Sequence, residues 1–162
     1  MSSELPVLND QFGRRISYVR LSLTDRCDMR CRYCMAETME FLPRSEILSH
    51  EEIGVLARAF VARGVTRIRL TGGEPLARRG AVEVARDIGQ LIGNGLQELT
   101  LTTNATRLRE HATGLRDAGV ERINISLDTR DPEKFVHITR LGNLSRVLDG
   151  IAAAREVGFR VK

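Results

Sequence analysis

Apolar and polar positions repeat with two periods along the chain, and the period switches at short intervals. The run ISYVRLSL (16–23) is rich in β-branched and apolar residues and predicts a first strand. Behind it, SHEE places Ser49 three positions before Glu52, a capping box that opens the apolar-periodic helix IGVLARAFVA, closed by Gly64. TRIRLTG predicts a second strand, AVEVARDIGQLI a helix, QELTLTT a third strand, LREHATGLRDAG a helix ending at Gly119, and RINISLD a fourth strand. DPEKF opens a short helix with Asp131 as cap and Pro132 in its first turn. LSRVLDGIAAAREVG predicts a longer helix, and FRVK a fifth strand.

Strands alternating with helices over such short connections predict parallel βαβ units with right-handed crossovers, hence an α/β fold. Three cysteines follow the first strand, GGEP follows the second, TTN ends the third, and Ser126 to Asp128 end the fourth. In parallel sheets and barrels, sites form at the carboxyl ends of strands, so these groups are expected at one mouth.

Length and composition narrow the setting. The 162 residues suit one compact domain, and 42% apolar residues suit a core. The apolar runs are short, and MSSELPVLNDQFGRR lacks the apolar stretch of a signal peptide, which predicts a soluble, cytoplasmic protein with no membrane association. The net charge of +4 is almost wholly arginine, since Lys134 and Lys162 are the only lysines. With no Trp and only 2 Tyr and 5 Phe there is no visible base-stacking platform, which argues against nucleic acid. A solvated arginine surface is the first reading of the charge, and binding of an anionic phosphate compound the second.

The three cysteines, Cys27, Cys31 and Cys34, have the spacing C-x3-C-x2-C. A disulfide fits poorly with an odd number in a reducing compartment. Structural zinc wants four ligands, usually in two separated pairs, and His50, His111 and His137 offer no local partner. Three thiolates on an iron–sulfur cube leave one iron open to a substrate or cofactor. Buried structural cysteines fit poorly because Asp28, Arg30 and Arg32 interleave them. The cluster is favoured, with zinc as the alternative.

C-x3-C-x-aromatic-C, with Tyr33 before Cys34, followed by GGEP, resembles the radical S-adenosylmethionine (SAM) superfamily. VRLSLTDRC, FLPRSEILSHEEI, RIRLTGGEPLARR, LTTN and RINISLD further resemble its GTP 3′,8-cyclase family, of molybdenum cofactor biosynthesis, from about Phe12 to Lys162. Ala36 and Ala105 depart from it where proline and glycine are common.

The resemblance implies parallel (β/α) repeats of an incomplete TIM-like radical SAM barrel, with residues 1–15 as an N-terminal extension. It also implies a [4Fe-4S] cluster on Cys27, Cys31 and Cys34, and S-adenosyl-L-methionine contacted by Tyr33, Gly73 and Ser126. GTP would be held by Arg20, Arg69, Thr102 and Lys162. The implied reaction is that of a lyase: a 5′-deoxyadenosyl radical takes hydrogen from C3′ of GTP, and the ribose radical attacks C8 of guanine. An electron donor for the cluster is the implied partner, a homodimer is an assembly it allows, and no residue is singled out as a catalytic acid or base.

Taken singly, these residues carry plainer readings. Gly72 and Gly73 also suit an ordinary turn, Tyr33 packing on the rim, and Ser126 a turn cap. Arg20 and Arg69 suit buried ion pairs with Glu74, Glu98 or Asp128, and Lys162 a frayed, solvated end. The family's further barrel strands, second cluster motif and Gly-Gly tail are absent, so the chain is expected to be the N-terminal part of a longer protein, inactive on GTP alone. Two other readings stand beside this one: another radical SAM enzyme, peptide-modifying or activating, and a non-catalytic metal-binding fragment.

Overall fold

The computed structural model describes residues 7–162. Five strands form one parallel sheet in the order β1 (Tyr18–Ser22), β2 (Arg67–Thr71), β3 (Glu98–Thr103), β4 (Val120–Ile125), β5 (Arg160–Val161). Between them lie α1 (His50–Ala62), α2 (Ala81–Gly89), α3 (Leu108–Asp117), and the pair α4 (Pro132–Thr139) and α5 (Leu144–Glu156). The fold is α/β, and the sheet is open, with β1 and β5 at its edges. Residues 1–6 of the expected N-terminal extension lie outside the described residues. Its remainder pairs Asn9 with Arg15 and hydrogen-bonds Leu8 to the carbonyl of Arg63.

Local chemistry sets the boundaries. Both halves of the α1 capping box form: the Glu52 amide donates to Ser49 Oγ and the Ser49 amide to Glu52 Oε2. Asp131 accepts from the Lys134 amide, with Pro132 in the first turn of α4. The second helix stops at Gly89, short of the predicted Ile92, because the chain turns back through Gly93 and Gly95, both at positive φ. β4 spans 120–125 rather than the predicted 122–128, starting directly after the left-handed Gly119.

One sheet face is apolar and covered by helices. Ile68, Leu70, Leu99, Leu101 and Ile123 are buried there with Ile53 and Ala57 of α1, Val84 and Ile88 of α2, Leu115 of α3 and Val147 of α5. The other face is polar, as alternation within each strand requires. Strand register sets Arg20, Arg69, Thr100, Arg122 and Arg160 in one row across it. Thr71, Thr102 and Asn124 lie one step nearer the carboxyl ends.

Candidate metal and cofactor site

Two loops run side by side beyond the ends of β1 and β2. The Leu23 amide bonds to the Thr71 carbonyl, Gly73 N to Thr24 O at 2.7 Å, and Glu74 N to Arg26 O at 2.8 Å. This close pairing explains the two glycines. A Cβ on Gly72, at φ +152°, would sit 2.6 Å from the Thr24 carbonyl oxygen, and one on Gly73 would lie 2.7 Å from that of Asp25 and strike that of Arg26. Cys27 follows directly on this paired stretch and lines the same cavity as Gly72 and Gly73.

The cysteine loop is anchored from three directions. Met29 is 4% exposed and pegs it into the core. From the end of α4, the Thr139 and Ile138 carbonyls accept the Arg30 and Arg32 amides at 3.0 Å, and the Arg140 guanidinium reaches the Arg30 and Met35 carbonyls. From the loop after β3, Asn104 Nδ2 and Thr106 Oγ1 donate to the Asp28 carboxylate at 2.7 and 2.5 Å. Asp28, which in the sequence speaks only against burial of the cysteines, is half-buried and held by its own partners.

Glu74 of GGEP is 1% exposed. Its carboxylate accepts from the Leu76 amide, Thr103 Oγ1 and the Asn104 amide, at 3.0, 2.7 and 2.7 Å. It thus clamps the end of β2 to the end of β3. Burial pushes its pKa up to about 7, against the pull of those three donors.

A cavity of about 220 Å³ opens among the strand ends. Cys27, Cys31, Cys34, Tyr33, Gly73, Ser126, Arg20 and Thr102 all line it, together with Glu74, Asn104 and Asp128. Thr102 Oγ1 is buried with no hydrogen-bond partner among the described residues. Arg69 does not line the cavity: its guanidinium carbon lies 5.6 Å from the centre of the Tyr18 ring, and its Nε donates to Thr100 Oγ1. Lys162 also stands apart, exposed, with its backbone paired to Ile123 and Ile125 of β4 rather than frayed.

The ion pairs considered for Arg20 and Arg69 do not form among the described residues. Glu98 pairs instead with Arg122 at 3.1 Å, Glu74 is held as above, and Asp128 accepts from the Tyr33 hydroxyl. A larger hollow of about 460 Å³, lined by Arg26, Arg44, Arg78 and Arg79, holds no thiol, and Arg78 there is tied to the Leu23 and Leu48 carbonyls.

The donor set fits a group that needs three sulfurs and leaves one position open. Both well-placed carboxylates of the cavity are committed elsewhere, Glu74 to three donors and Asp128 to Tyr33. Burial pushes the Cys27 thiol up to about 11, with the Met29 amide pulling it down and the Asp28 and Glu74 carboxylates adding to the rise. Such a thiol gives up its proton to a strongly positive centre. No three His, Cys, Asp or Glu among the described residues are gathered tightly enough for a single metal ion.

The chain belongs to the radical SAM superfamily, whose sequence model matches residues 21–162. Within it, the chain is similar to two proteins named GTP 3′,8-cyclase: one from Erythrobacter litoralis, 59% identical over 155 residues, and one from Rhizobium etli, 56% identical over 153. These matches cover 96% and 94% of this chain but 47% and 44% of the relatives, so the chain spans less than half their length. Among solved structures, Streptococcus suis SuiB bound to S-adenosylmethionine shares the fold, with a TM-score of 0.71 at 18% identity over 90% of this chain and 31% of that one. Among the described residues, no helix is long and apolar enough to cross a membrane.

Two structural residues at this site were not singled out from sequence as its parts, Thr106 and Arg140, whereas Asn104 belongs to the TTN expected at the mouth. Thr106 offered a signal, since it follows TTN by two positions at the end of a predicted strand. Arg140 offered none, because its role depends on the packing of α4 beside the loop.

Proposed function

We propose that this chain is the cluster- and cofactor-binding part of a GTP 3′,8-cyclase, a radical SAM lyase. The observation that carries the reading is convergence: residues from five separate segments, Arg20, Cys27 to Cys34, Gly73, Thr102 and Ser126, line one cavity at the carboxyl ends of four strands. Identity of 59% to a relative bearing that name supports the substrate.

Cys27, Cys31 and Cys34 would hold a [4Fe-4S] cluster, and the wall of Tyr33, Gly73 and Ser126 would hold S-adenosylmethionine against it. When both are bound and an outside donor supplies an electron, they furnish a 5′-deoxyadenosyl radical. The chain's own task is placement. Ser126 offers a hydroxyl at a strand end, and Thr102 Oγ1 a buried polar atom still lacking a partner. Arg20 makes no ion pair with the described residues, so its guanidinium is available to a phosphate oxygen of GTP. Arg69 and Lys162, which stand outside the cavity, would be further cationic contacts for the same nucleotide. Orientation of C3′ by such contacts is where the rate would be set.

The test is anaerobic reconstitution with iron and sulfide. Four irons and four sulfides per chain, a reduced-cluster paramagnetic spectrum that changes on adding S-adenosylmethionine, and sharply lower iron in Cys27→Ala, Cys31→Ala and Cys34→Ala are expected. Wild-type iron in all three variants, or zinc without sulfide, overturns the reading. GTP that leaves the cofactor-bound spectrum unchanged, and does not bind, overturns the substrate alone.

A further inference from the structure

The side chain of Asn104 is fixed at every polar atom. Its Oδ1 accepts from the Thr106 amide at 3.0 Å, and its Nδ2 donates to Asp28 Oδ1 at 2.7 Å, while the Thr106 hydroxyl gives its one hydrogen to the other oxygen of that carboxylate. Its backbone amide is held by Glu74 Oε2 at 2.7 Å. This network determines which end of the amide is nitrogen: a flip would set NH2 against the Thr106 amide and a carbonyl against a carboxylate. Nδ2 carries two hydrogens and the carboxylate takes one. The Cys27 sulfur lies 3.8 Å from Nδ2, within sulfur hydrogen-bond reach, and the Met29 amide reaches the same sulfur at 3.4 Å.

We propose that Asn104 raises the reduction potential of the cluster by donating from its side-chain amide to the Cys27 sulfur, with Asp28 and Thr106 holding that amide in place. The inference rests on the reading of Cys27 as a cluster ligand. Reduction adds one negative charge to the cluster, so an N–H dipole pointing at a ligating sulfur favours the reduced form. A nearby carboxylate disfavours it, and Asp28 Oδ1 lies 3.9 Å from the sulfur, with the Asn104 amide beside both and bonded to that same oxygen at 2.7 Å. Asn104 is therefore a positioning and tuning residue rather than a ligand. It also links the loop after β3 to the first cysteine.

The experiment is a potentiometric titration of the reconstituted protein with dithionite, followed by electron paramagnetic resonance. Asn104→Ala is expected to keep iron and sulfide at wild-type levels and shift the potential to more negative values. Asp28→Asn, which disturbs the same network but removes a negative charge, is expected to shift it the opposite way. General loosening of the loop does not predict opposite signs. In wild-type protein labelled with ¹⁵N-asparagine, pulsed measurements on the reduced cluster are expected to show a ¹⁵N coupling. An unmoved potential in Asn104→Ala overturns the proposal, and if that variant does not load, absence of the ¹⁵N coupling in wild type does so. Failure of wild type to bind iron and sulfide overturns the cluster reading itself and this inference with it.

Discussion

The hydroxyl of Tyr33 donates to the carboxylate of Asp128 across 2.8 Å, and this bond ties the cysteine loop to the end of β4 over the mouth of the cavity. Tyr33 is 69% exposed, so water competes for both groups and the bond contributes less than about 1 kcal/mol to folding. Tyr33→Phe should leave the unfolding free energy within that margin while speeding hydrogen exchange at Cys34 and Met35, whose amides bond back to the Cys31 carbonyl. Unchanged exchange at both amides would show that Arg140 and the α4 carbonyls hold the loop without the tyrosine.

Gly73 and Gly54 should respond oppositely to the same added methyl. At Gly73 the Cβ meets backbone carbonyls of Asp25 and Arg26, which cannot move without opening the paired loops. Gly73→Ala is expected to cost more than about 2 kcal/mol in denaturant unfolding and to lower iron loading. At Gly54, inside α1, the Cβ meets only the flexible guanidinium of Arg58, at 3.3 Å. Gly54→Ala is expected to stabilise by up to about 1 kcal/mol.

Ala105 carries its side chain at φ +65°, in the left-handed region that favours glycine, and is 0% exposed. Relief of left-handed strain, about 1–2 kcal/mol, offsets the lost methyl burial and the added freedom of the unfolded chain. Ala105→Gly should therefore change stability by no more than about 1 kcal/mol. Ala85→Gly, equally buried but in the middle of α2, should cost about 2 kcal/mol because propensity and burial are lost together. Thermal melts of the two variants side by side decide the point.

Glu74 gives folding a specific pH dependence. Burial lifts its folded pKa from 4.5 to about 7, so between those values the folded chain retains a proton that the unfolded chain has released. Stability from this group is full below about 4.5, falls as pH rises to about 7 by on the order of 3 kcal/mol, and is level above. Glu74→Gln should remove that slope. It should also lower stability by about 1–3 kcal/mol, because its amide NH2 must face one of three donors. Unfolding curves at a series of pH values measure both effects.

Much of this was legible in the chain because it is encoded locally. Ser49 with Glu52, Asp131 with Pro132, and Gly64 after α1 each fix an element end through neighbours within a few residues. The convergence of the cysteines, Gly73, Thr102 and Ser126 followed from parallel topology, which brings successive strand ends together. Partner choice among charged groups was not legible. Glu98 could have met Arg20, Arg69 or Arg122, and strand register and the bulge between Leu99 and Thr100 decide for Arg122. The location of Arg69 outside the cavity likewise depends on the Tyr18 ring beneath its guanidinium, a contact between strands far apart in sequence.

In the sheet, spatial order and chain order coincide, from β1 through β5. Synthesis proceeds in the same direction, at about 5–20 residues per second. As each strand leaves the ribosome, its one predecessor is already in place, and the helix just made lies ready to cover their shared apolar face. No strand waits for a later one to be inserted between it and its neighbour. The sheet can therefore assemble by addition at a single advancing edge, and each edge left bare during synthesis is the docking place of the next strand to emerge.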